Sequence, residues 1–341
     1  MLITYPKINL SCWLGWRSQP NQHDKLEFAV RGAMITIYKS NDNGLEVIQE
    51  PVNNAWINVI DPTTDEIERL TAWGIPQDFI TYPLDLDERS RSEREDDGSM
   101  LILIRIPYFQ GVRVDVPYIS IPLGVITTSQ WIITICRRPN DVIQEFTGGR
   151  IRNLETSKRN RFILRVLLAA ASRYLGYLRE INRIVDTVED QLQLSQRNRE
   201  LLELLKYQKS LVYFTTALKS NELMMERLQR WQIFRIYPED EDLLEDVITE
   251  NQQAIEMVNI STNILTSTMD AFGSIISNNL NGVMKFLASA TIVVNLPTIV
   301  YGFFGMNVDL PFPTWAFWFP LAVSIAISAV IIFIFLRRDW F

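Results

Sequence analysis

The sequence predicts an α+β protein in which an N-terminal α/β domain is followed by long helices and by two membrane-spanning helices. Residues 286–306 and 315–336 are apolar and uncharged, and each is long enough for the about 20 residues that cross a bilayer. After residue 158, apolar residues recur at three- and four-residue spacing, which indicates long helices. Residues 1–157 instead contain short Ile- and Val-rich runs between turn residues, a pattern typical of strands.

The composition excludes several protein classes. The 341 residues carry 33 basic and 40 acidic side chains, and this acidic excess argues against a nucleic-acid-binding protein. With 47% hydrophobic residues, the chain is too apolar to be disordered. His23 is its one histidine, which disfavours histidine-rich metal sites. Cys12 and Cys136 are too far apart in sequence to form a disulfide framework, which fits a reducing compartment.

In the N-terminal domain, alternation predicts a strand at residues 56–60, followed by a helix that Asp61 can cap. Further strands are expected at residues 100–106, 118–127 and 130–136. The sequence contains no Gly-rich phosphate loop, GxSxG elbow or CxxC pair. We therefore expect a protein that is not an enzyme.

The helical region begins with a predicted hairpin, interrupted by a polar break at residues 195–200. A third helix starts in the acidic run at residues 239–242 and continues into the first span, with no proline before Pro297. If residues 244–306 are helical throughout, they extend about 95 Å. A single chain cannot bury the apolar stripe of such a helix, so we expect it to pack against copies of itself as a coiled-coil-like stalk.

The charges beside the spans predict the membrane orientation. Lys285 precedes the first span, Arg337 and Arg338 follow the second, and Asp309 is the one charge between the spans. Since basic residues favour the cytoplasmic side, both termini are expected in the cytoplasm. The N-terminus lacks the features of a cleaved signal peptide. Tryptophans at the span ends fit interfacial aromatic belts: Trp315, Trp318 and Trp340.

One stripe of the first span carries polar residues, which favours a pore-lining role because polar groups inside a bilayer tend to face water or a bundle interior. The stripe comprises Asn281, Met284, Leu287, Ala288, Thr291, Asn295, Thr298 and Gly302. The alternative is hydrogen bonding between helices without permeation. The second span has only Ser324 and Ser328 as polar residues and is interpreted as the outer, lipid-facing helix.

The outer end of the first span reads Tyr301-Gly302, two phenylalanines and then Gly305-Met306-Asn307. Together with the short loop and a second span that ends in basic residues, this sequence resembles the CorA family of divalent-cation transporters, the two-TM-GMN type. The resemblance also covers residues 56–70, 89–93 and 283–285.

The resemblance implies a homopentamer in which five stalk helices lead into five pore-lining spans. It also implies that Gly305, Met306 and Asn307 form the selectivity filter. Mg²⁺ retains several of its waters, and a ring of Asn307 amide oxygens can accept hydrogen bonds from them. Gly305 would permit a tight chain path, and Met306 would be structural. The span has no His or Cys, which disfavours zinc; Mg²⁺ is the expected ion, with Co²⁺, Ni²⁺ or Zn²⁺ as further candidates.

The sequence departs from the family at two places. Asp309 stands in a stretch where the family commonly has a glutamate, and it is interpreted either as a cation-attracting ring at the outer mouth or as an ordinary turn residue. Asn295 occupies a place where many relatives have an apolar gate residue, which predicts a wetter constriction.

The resemblance further implies gating by intracellular divalent cations bound between subunits. Asp246 and Asp270 on the stalk match acidic residues of that kind, and Asp85, Asp87 and Glu88 are candidates for the opposing face. Carboxylates from two chains repel each other until a divalent cation bridges them. The acids at residues 239–242 are interpreted as favourable charges at a helix N-terminus, with metal binding as the alternative.

These inferences predict a multi-pass inner or plasma membrane transporter for Mg²⁺ with the following segments. They are a cytoplasmic α/β domain (1–157), a helical hairpin (158–238), the stalk helix (239–285), the first span (286–306), an external loop (307–314), the second span (315–336) and a basic cytoplasmic tail (337–341). Two alternatives remain: a ZntB-like zinc transporter coupled to protons, disfavoured by GMN in place of GIN, and a membrane-anchored divalent-cation sensor that does not conduct.

Overall fold

A computed structural model describes residues 35–41, 44–149, 151, 154–195, 198–231, 234, 237–305 and 318–338. These residues fall into two compact units. The first comprises Met1–Arg183 and Lys206–Ser261, and the second comprises Ile184–Leu205 and Thr262–Phe341. Several residues discussed above lie outside the described residues: Met306 and Asn307 of the predicted GMN segment, Asp309, His23 and Cys12.

The first unit contains a seven-stranded mixed sheet. Its strands are β1 (Ile35–Asn41), β2 (Gly44–Ile48), β3 (Trp56–Ile60), β4 (Arg91–Arg94), β5 (Met100–Phe109), β6 (Tyr118–Thr127) and β7 (Ile132–Cys136). They lie in the order β2-β1-β3-β7-β6-β5-β4, and only the β3–β7 pair is parallel. The strands predicted at residues 56–60 and 118–127 are confirmed. β5 ends at Phe109 rather than at 106, and β7 begins at Ile132 rather than at 130.

Seven helices complete the described part of the chain. They are α1 (Thr64–Ala72), α2 (Gln77–Thr81), α3 (Asp141–Thr147), α4 (Arg159–Ser195), α5 (Asn198–Trp231), α6 (Pro238–Phe304) and α7 (Trp318–Arg337). The predicted polar break coincides with the end of α4 and the start of α5. The third predicted helix is present as α6, which is 67 residues long and continues past Pro297.

The sheet has a hydrophobic core on each face because successive strand residues point to opposite sides. On one face, Ile102 and Ile104 of β5 belong to a cluster that includes Phe162 of α4 and Val247 of α6. On the other face, Leu101 packs in a cluster with Phe79 and other residues of the first two helices. The α/β domain therefore consists of a sheet between two helical layers.

Trp56 joins β3 to the helical layer. Its ring stacks on that of Tyr38, with 4.8 Å between the ring centroids, and contacts that of Phe162, with 5.1 Å between the centroids. Its indole Nε1 donates a hydrogen bond to Thr134 Oγ1 at 2.9 Å, and Thr134 Oγ1 in turn donates to Asn58 Oδ1 at 2.9 Å. The polar atoms of this buried cluster are therefore paired inside the sheet.

The N-cap of the helix after β3 lies two residues later than Asp61. Thr63 is the N-cap: its hydroxyl accepts a hydrogen bond from Glu66 N, and the Glu66 carboxylate accepts one from Thr63 N at 2.9 Å. The expectation that Asp61 caps this helix is wrong. Its own N–H donates to Cys136 O at 3.0 Å, so Asp61 still follows the strand pairing and the chain turns after it.

The N-terminus of α6 is fixed to α4 by an ion pair. Arg161 contacts Asp240 and Glu239, each at 2.7 Å. Asp240 is buried, and these contacts raise the pKa of Arg161, chiefly through the hydrogen bond to Asp240. Pro238 is the first residue of α6, where its missing N–H costs no helical hydrogen bond.

Candidate functional site

The C-terminal part of α6 and the whole of α7 are long and apolar enough to cross a membrane. In the apolar 18-residue stretch of each helix, only 6% of the residues of α6 and 11% of those of α7 are buried within the chain. A core helix of a soluble protein would bury most of this surface, whereas a bilayer accepts it. Both helices are therefore consistent with membrane spans.

The side of α6 that packs within the second unit is defined by Ser289 and Val300, both buried, and by Phe304. Phe304 lies on the same side of the helix, and its ring contacts that of Phe319 on α7 at 5.7 Å. This side of α6 therefore carries α7. On α7, Ser324 is buried, so at this residue α7 faces protein rather than lipid.

The polar stripe lies on the other side of α6. At about 100° per residue, Thr291, Asn295 and Thr298 lie roughly opposite the side that carries α7. All eight stripe residues are exposed in the chain: Asn281, Met284, Leu287, Ala288, Thr291, Asn295, Thr298 and Gly302. The hydroxyl of Thr291 donates to Leu287 O at 2.8 Å, so its oxygen lone pairs remain available to accept hydrogen bonds from water.

The last described residue of the GMN segment is Gly305. Its N–H donates to Tyr301 O at 2.8 Å, and a Cβ atom at Gly305 would lie 3.0 Å from the same oxygen. The backbone at Gly305 therefore still follows the last turn of α6, and the role of this glycine in a filter stays a prediction.

The candidate regulatory acids of the α/β domain lie in the acidic loop, residues 85–90, between a 3₁₀ turn (Tyr82–Leu84) and β4. Asp85 and Asp87 are exposed, and Asp85 Oδ1 accepts a hydrogen bond from Asp87 N at 3.1 Å. Glu88 is half-buried and forms an ion pair with Arg91. Two carboxylates of this loop thus face solvent, while the third already has a cationic partner.

Asp246 and Asp270 are both exposed residues of α6. Neither forms an ion pair with the described residues of its own chain. In the described ranges of a single chain, no three His, Cys, Asp or Glu side chains come together as a metal-binding group.

The sequence reasoning missed Arg105, which organises the acidic loop. Its guanidinium donates to Leu86 O at 3.0 Å, to Glu88 O at 2.7 Å and to Ser120 Oγ at 2.9 Å. Burial lowers the pKa of Arg105, and its interactions with Tyr174 and with the Asp87 and Asp85 carboxylates oppose this shift. A lone arginine within an apolar strand was the signal in the sequence.

Comparison with known proteins identifies the family. The family model described as a CorA-like Mg²⁺ transporter protein matches residues 53–338, which is most of the chain. The chain belongs to the CorA family. The cobalt/magnesium transport protein CorA of Methanocaldococcus jannaschii is 29% identical over 315 residues, which span 86% of this chain and 94% of that protein.

Solved structures have the same fold. The complete structure of the CorA magnesium transporter from Methanocaldococcus jannaschii superposes with a TM-score of 0.78 at 23% identity, covering 91% of this chain and 99% of that one. The ZntB cytoplasmic domain from Vibrio parahaemolyticus matches with a TM-score of 0.57 at 11% identity, covering 73% of this chain and 99% of that one. The CorA architecture, with an N-terminal α/β domain, a long helix and a C-terminal apolar helix, is thus shared over nearly the whole chain.

Proposed function

We propose that this CorA-family protein transports divalent cations, Mg²⁺ above all, across a cell membrane. Its relative from Methanocaldococcus jannaschii is named as a cobalt/magnesium transport protein, which supports Mg²⁺ and Co²⁺ as the transported ions. Ni²⁺ and Zn²⁺ remain further candidates. The observation that carries the proposal is the exposed polar stripe of α6, opposite the side that packs on α7.

The stripe also supports an oligomer. A single pair of helices cannot enclose an aqueous path, and polar groups facing lipid are unfavourable. Several copies arranged around an axis would turn Thr291, Asn295 and Thr298 toward a shared interior and leave α7 outside. We propose the homopentamer of the CorA resemblance, with residues 239–285 as the stalk and residues 286–306 as the inner span.

The proposed selectivity filter is Gly305, Met306 and Asn307. An amide oxygen attracts hydrated Mg²⁺ through the retained waters, so the ion need not lose its whole hydration shell. In this scheme, Asp309 adds a ring of negative charge at the outer mouth. Asn295 places a second ring of amides within the span, among the threonines at 291 and 298.

The proposed orientation places both termini in the cytoplasm. Lys285, Arg337 and Arg338 are exposed and flank the two spans, and basic flanks favour the cytoplasmic side. The short connection at residues 307–314 would then face outward with the filter.

We also propose that cytoplasmic Mg²⁺ binds between subunits and closes the pathway. Asp85 and Asp87 supply exposed carboxylate oxygens, which are the ligands Mg²⁺ prefers. Glu88 contributes less because Arg91 already neutralises it. Asp246 and Asp270 of a neighbouring chain would complete the sites. Bound cation would offset carboxylate repulsion in the closed assembly, so its loss would favour opening.

Ion flux into liposomes that contain the purified full-length protein tests the proposal. Mg²⁺ and Zn²⁺ are supplied separately, with and without a pH gradient, to the natural protein and to Asn307→Ala. We expect Mg²⁺ flux without a pH gradient and its loss in the variant. Zn²⁺ flux driven by protons would instead support the zinc transporter. If no ion is transported but the protein still binds Mg²⁺, the result would support a sensor that does not conduct.

A further inference from the structure

The acidic loop lies directly before β4, at the end of β4 where its pairing with β5 stops. β4 pairs with β5 only as far as Arg91 opposite Leu103, so β4 offers no partner to the backbone of Arg105. The side chain of Asn221, from α5, takes that place. Its Oδ1 accepts from Arg105 N at 3.0 Å and its Nδ2 donates to Arg105 O at 2.8 Å. One amide thus binds both backbone groups, as the next residue of a neighbouring strand would. Arg105 N also donates to Ser90 Oγ at 3.2 Å, and Arg105 O also accepts from the Tyr174 hydroxyl at 3.1 Å.

Asn221 also holds the loop itself. Its Oδ1 accepts a second hydrogen bond, from Ser90 Oγ at 2.6 Å, and the adjacent Ser220 Oγ accepts one from Ser90 N at 3.1 Å. The Asn221 side chain is 1% exposed, and its hydrogen bond to Ser90 is partly buried. Arg105 of β5 binds the carbonyls of Leu86 and Glu88 in the first part of the acidic loop. The loop is therefore held by β5 in its first part and by α5 at its end, and Asn221 joins these two elements.

The same stretch of α5 contacts α6. Asn251 of α6 donates from Nδ2 to Leu218 O at 3.4 Å, one turn before Asn221. The other amide atom of Asn251, Oδ1, is buried without a hydrogen-bond partner among the described residues. This hydrogen bond is long, but apolar packing also joins the two helices: Val247 of α6 lies in the same buried cluster as Met224 and Met225 of α5. α5 and α6 therefore hold each other in place beside Asn221.

We infer that Asn221 is a positioning residue that ties the acidic loop to helix α5, and through Leu218 and Asn251 to helix α6. The inference rests on the proposed control by Mg²⁺ at Asp85 and Asp87. A cation that binds these carboxylates selects one loop position. The Asn221 amide transmits that position to α5, because neither Ser90 nor Arg105 can move without breaking a hydrogen bond to this buried side chain. Asn221 touches no cation itself.

The test compares full-length Asn221→Leu with the natural protein. Asn221→Leu keeps the size of the side chain but removes all three hydrogen bonds. Two quantities are measured: the Mg²⁺ concentration that gives half of the maximal rise in Tm, and the concentration that gives half-maximal inhibition of flux in liposomes. We expect both to rise by about tenfold, the equivalent of losing one buried hydrogen bond, while the maximal flux at low Mg²⁺ stays the same.

Leu211→Ala is the matched control, because Leu211 is a fully buried residue of α5 that belongs to the same helix but not to the loop contacts. It should lower Tm without changing either half-effective concentration. If both variants shift the Mg²⁺ response equally, lost stability explains the effect and the inference is wrong.

Ser90→Ala provides a second route if Asn221→Leu does not fold, since it removes only the hydroxyl on the loop side. A shift of about threefold in the same direction is expected, and an unchanged Mg²⁺ response would contradict the inference. If the natural protein itself shows no Mg²⁺ dependence in either measurement, the proposed regulation fails, and the inference fails with it. Mg²⁺ dependence that Asn221→Leu leaves intact would overturn the inference alone.

Discussion

Gly124 lies so close to Pro83 that a Cβ atom on Gly124 would be 2.3 Å from Pro83 Cγ. Pro83 is the buried residue of the 3₁₀ turn that leads into the acidic loop, and Gly124 belongs to β6. The missing side chain at residue 124 therefore sets how closely the turn, and with it Asp85, approaches the sheet.

Gly124→Ala should destabilise the protein. Because the clashing partner is a proline ring next to the backbone, the turn has to move, and overpacking of this kind costs about 1–3 kcal/mol. Denaturant unfolding of the detergent-solubilised protein measures the change. Gly176→Ala is the matched control: Gly176 is on α4 and a Cβ atom there meets nothing within 4 Å. It should stabilise by about 0.5–1 kcal/mol through helix propensity. Equal effects of the two changes would contradict the close contact.

Thr134→Val should be more harmful than its conservative size suggests. It leaves both the Trp56 Nε1 donor and the Asn58 Oδ1 acceptor without their partner inside the sheet, and an unpaired buried polar group costs about 1–3 kcal/mol. Thermal unfolding should show a lower Tm. In the control Thr216→Val, the lost hydroxyl is exposed and donates to Val212 O of its own helix, so a change within about 0.5 kcal/mol is expected. A Tm for Thr134→Val as high as that of the control would rule out this hydrogen-bonded cluster.

Much of the fold could be predicted because local patterns determine it. Hydrophobic patterns within single segments predict the strands β3 and β6 and the helix that continues into the first span. A short polar stretch likewise predicts the break between α4 and α5. The cap at Thr63 was missed although Glu66 follows three residues later. The strand register at Asp61, which delays the turn, depends on Cys136 far along the chain.

The candidate site was predictable only in part for the same reason. Periodicity places Thr291 and Asn295 on one stripe, but only the packing of Phe304 against Phe319 shows that α7 lies on the other side. Arg105 and Asn221 act through partners that are separated by 116 residues in sequence. Spacing within a single segment carries no information about such a contact, so the anchoring of the acidic loop emerged only from the fold.

Cys136 should be unreactive in the folded protein. Its side chain is 2% exposed, and burial raises the pKa of its thiol to about 11. At pH 8 only about one thiol in a thousand is then the reactive thiolate. Because the pKa is higher in the folded protein than in the unfolded chain, burial of the neutral thiol contributes fully to folding stability below the ordinary pKa of a thiol. This contribution is lost as the pH rises toward 11, where the buried thiol would have to ionise. In a Cys12→Ser variant, iodoacetamide at pH 8 should label Cys136 at least about a hundredfold faster after denaturation. Rapid labelling of the folded protein would show that this strand is accessible.

The polar stripe of α6 makes a prediction that separates conduction from simple helix packing. Asn295→Leu replaces an exposed amide with an apolar side chain of similar size. In the proposed pore, five such changes would remove a ring that accepts hydrogen bonds from hydrated Mg²⁺, because an apolar constriction disfavours water. We expect the Mg²⁺ flux to fall by about tenfold or more, and that of Thr298→Val to fall by a smaller factor.

The control for this experiment is Ser289→Ala, which removes a hydroxyl from the same helix on the side that packs against α7. Ser289 Oγ donates to Lys285 O at 2.7 Å and is fully buried, so its loss should leave the flux unchanged. Oligomeric state is measured for each variant by size-exclusion chromatography with light scattering. If the stripe serves only to join helices, Asn295→Leu will dissociate the oligomer and abolish flux through that route. If it lines the ion pathway, the oligomer will persist while Mg²⁺ flux falls, because the amide then contacts the hydrated ion rather than a neighbouring helix.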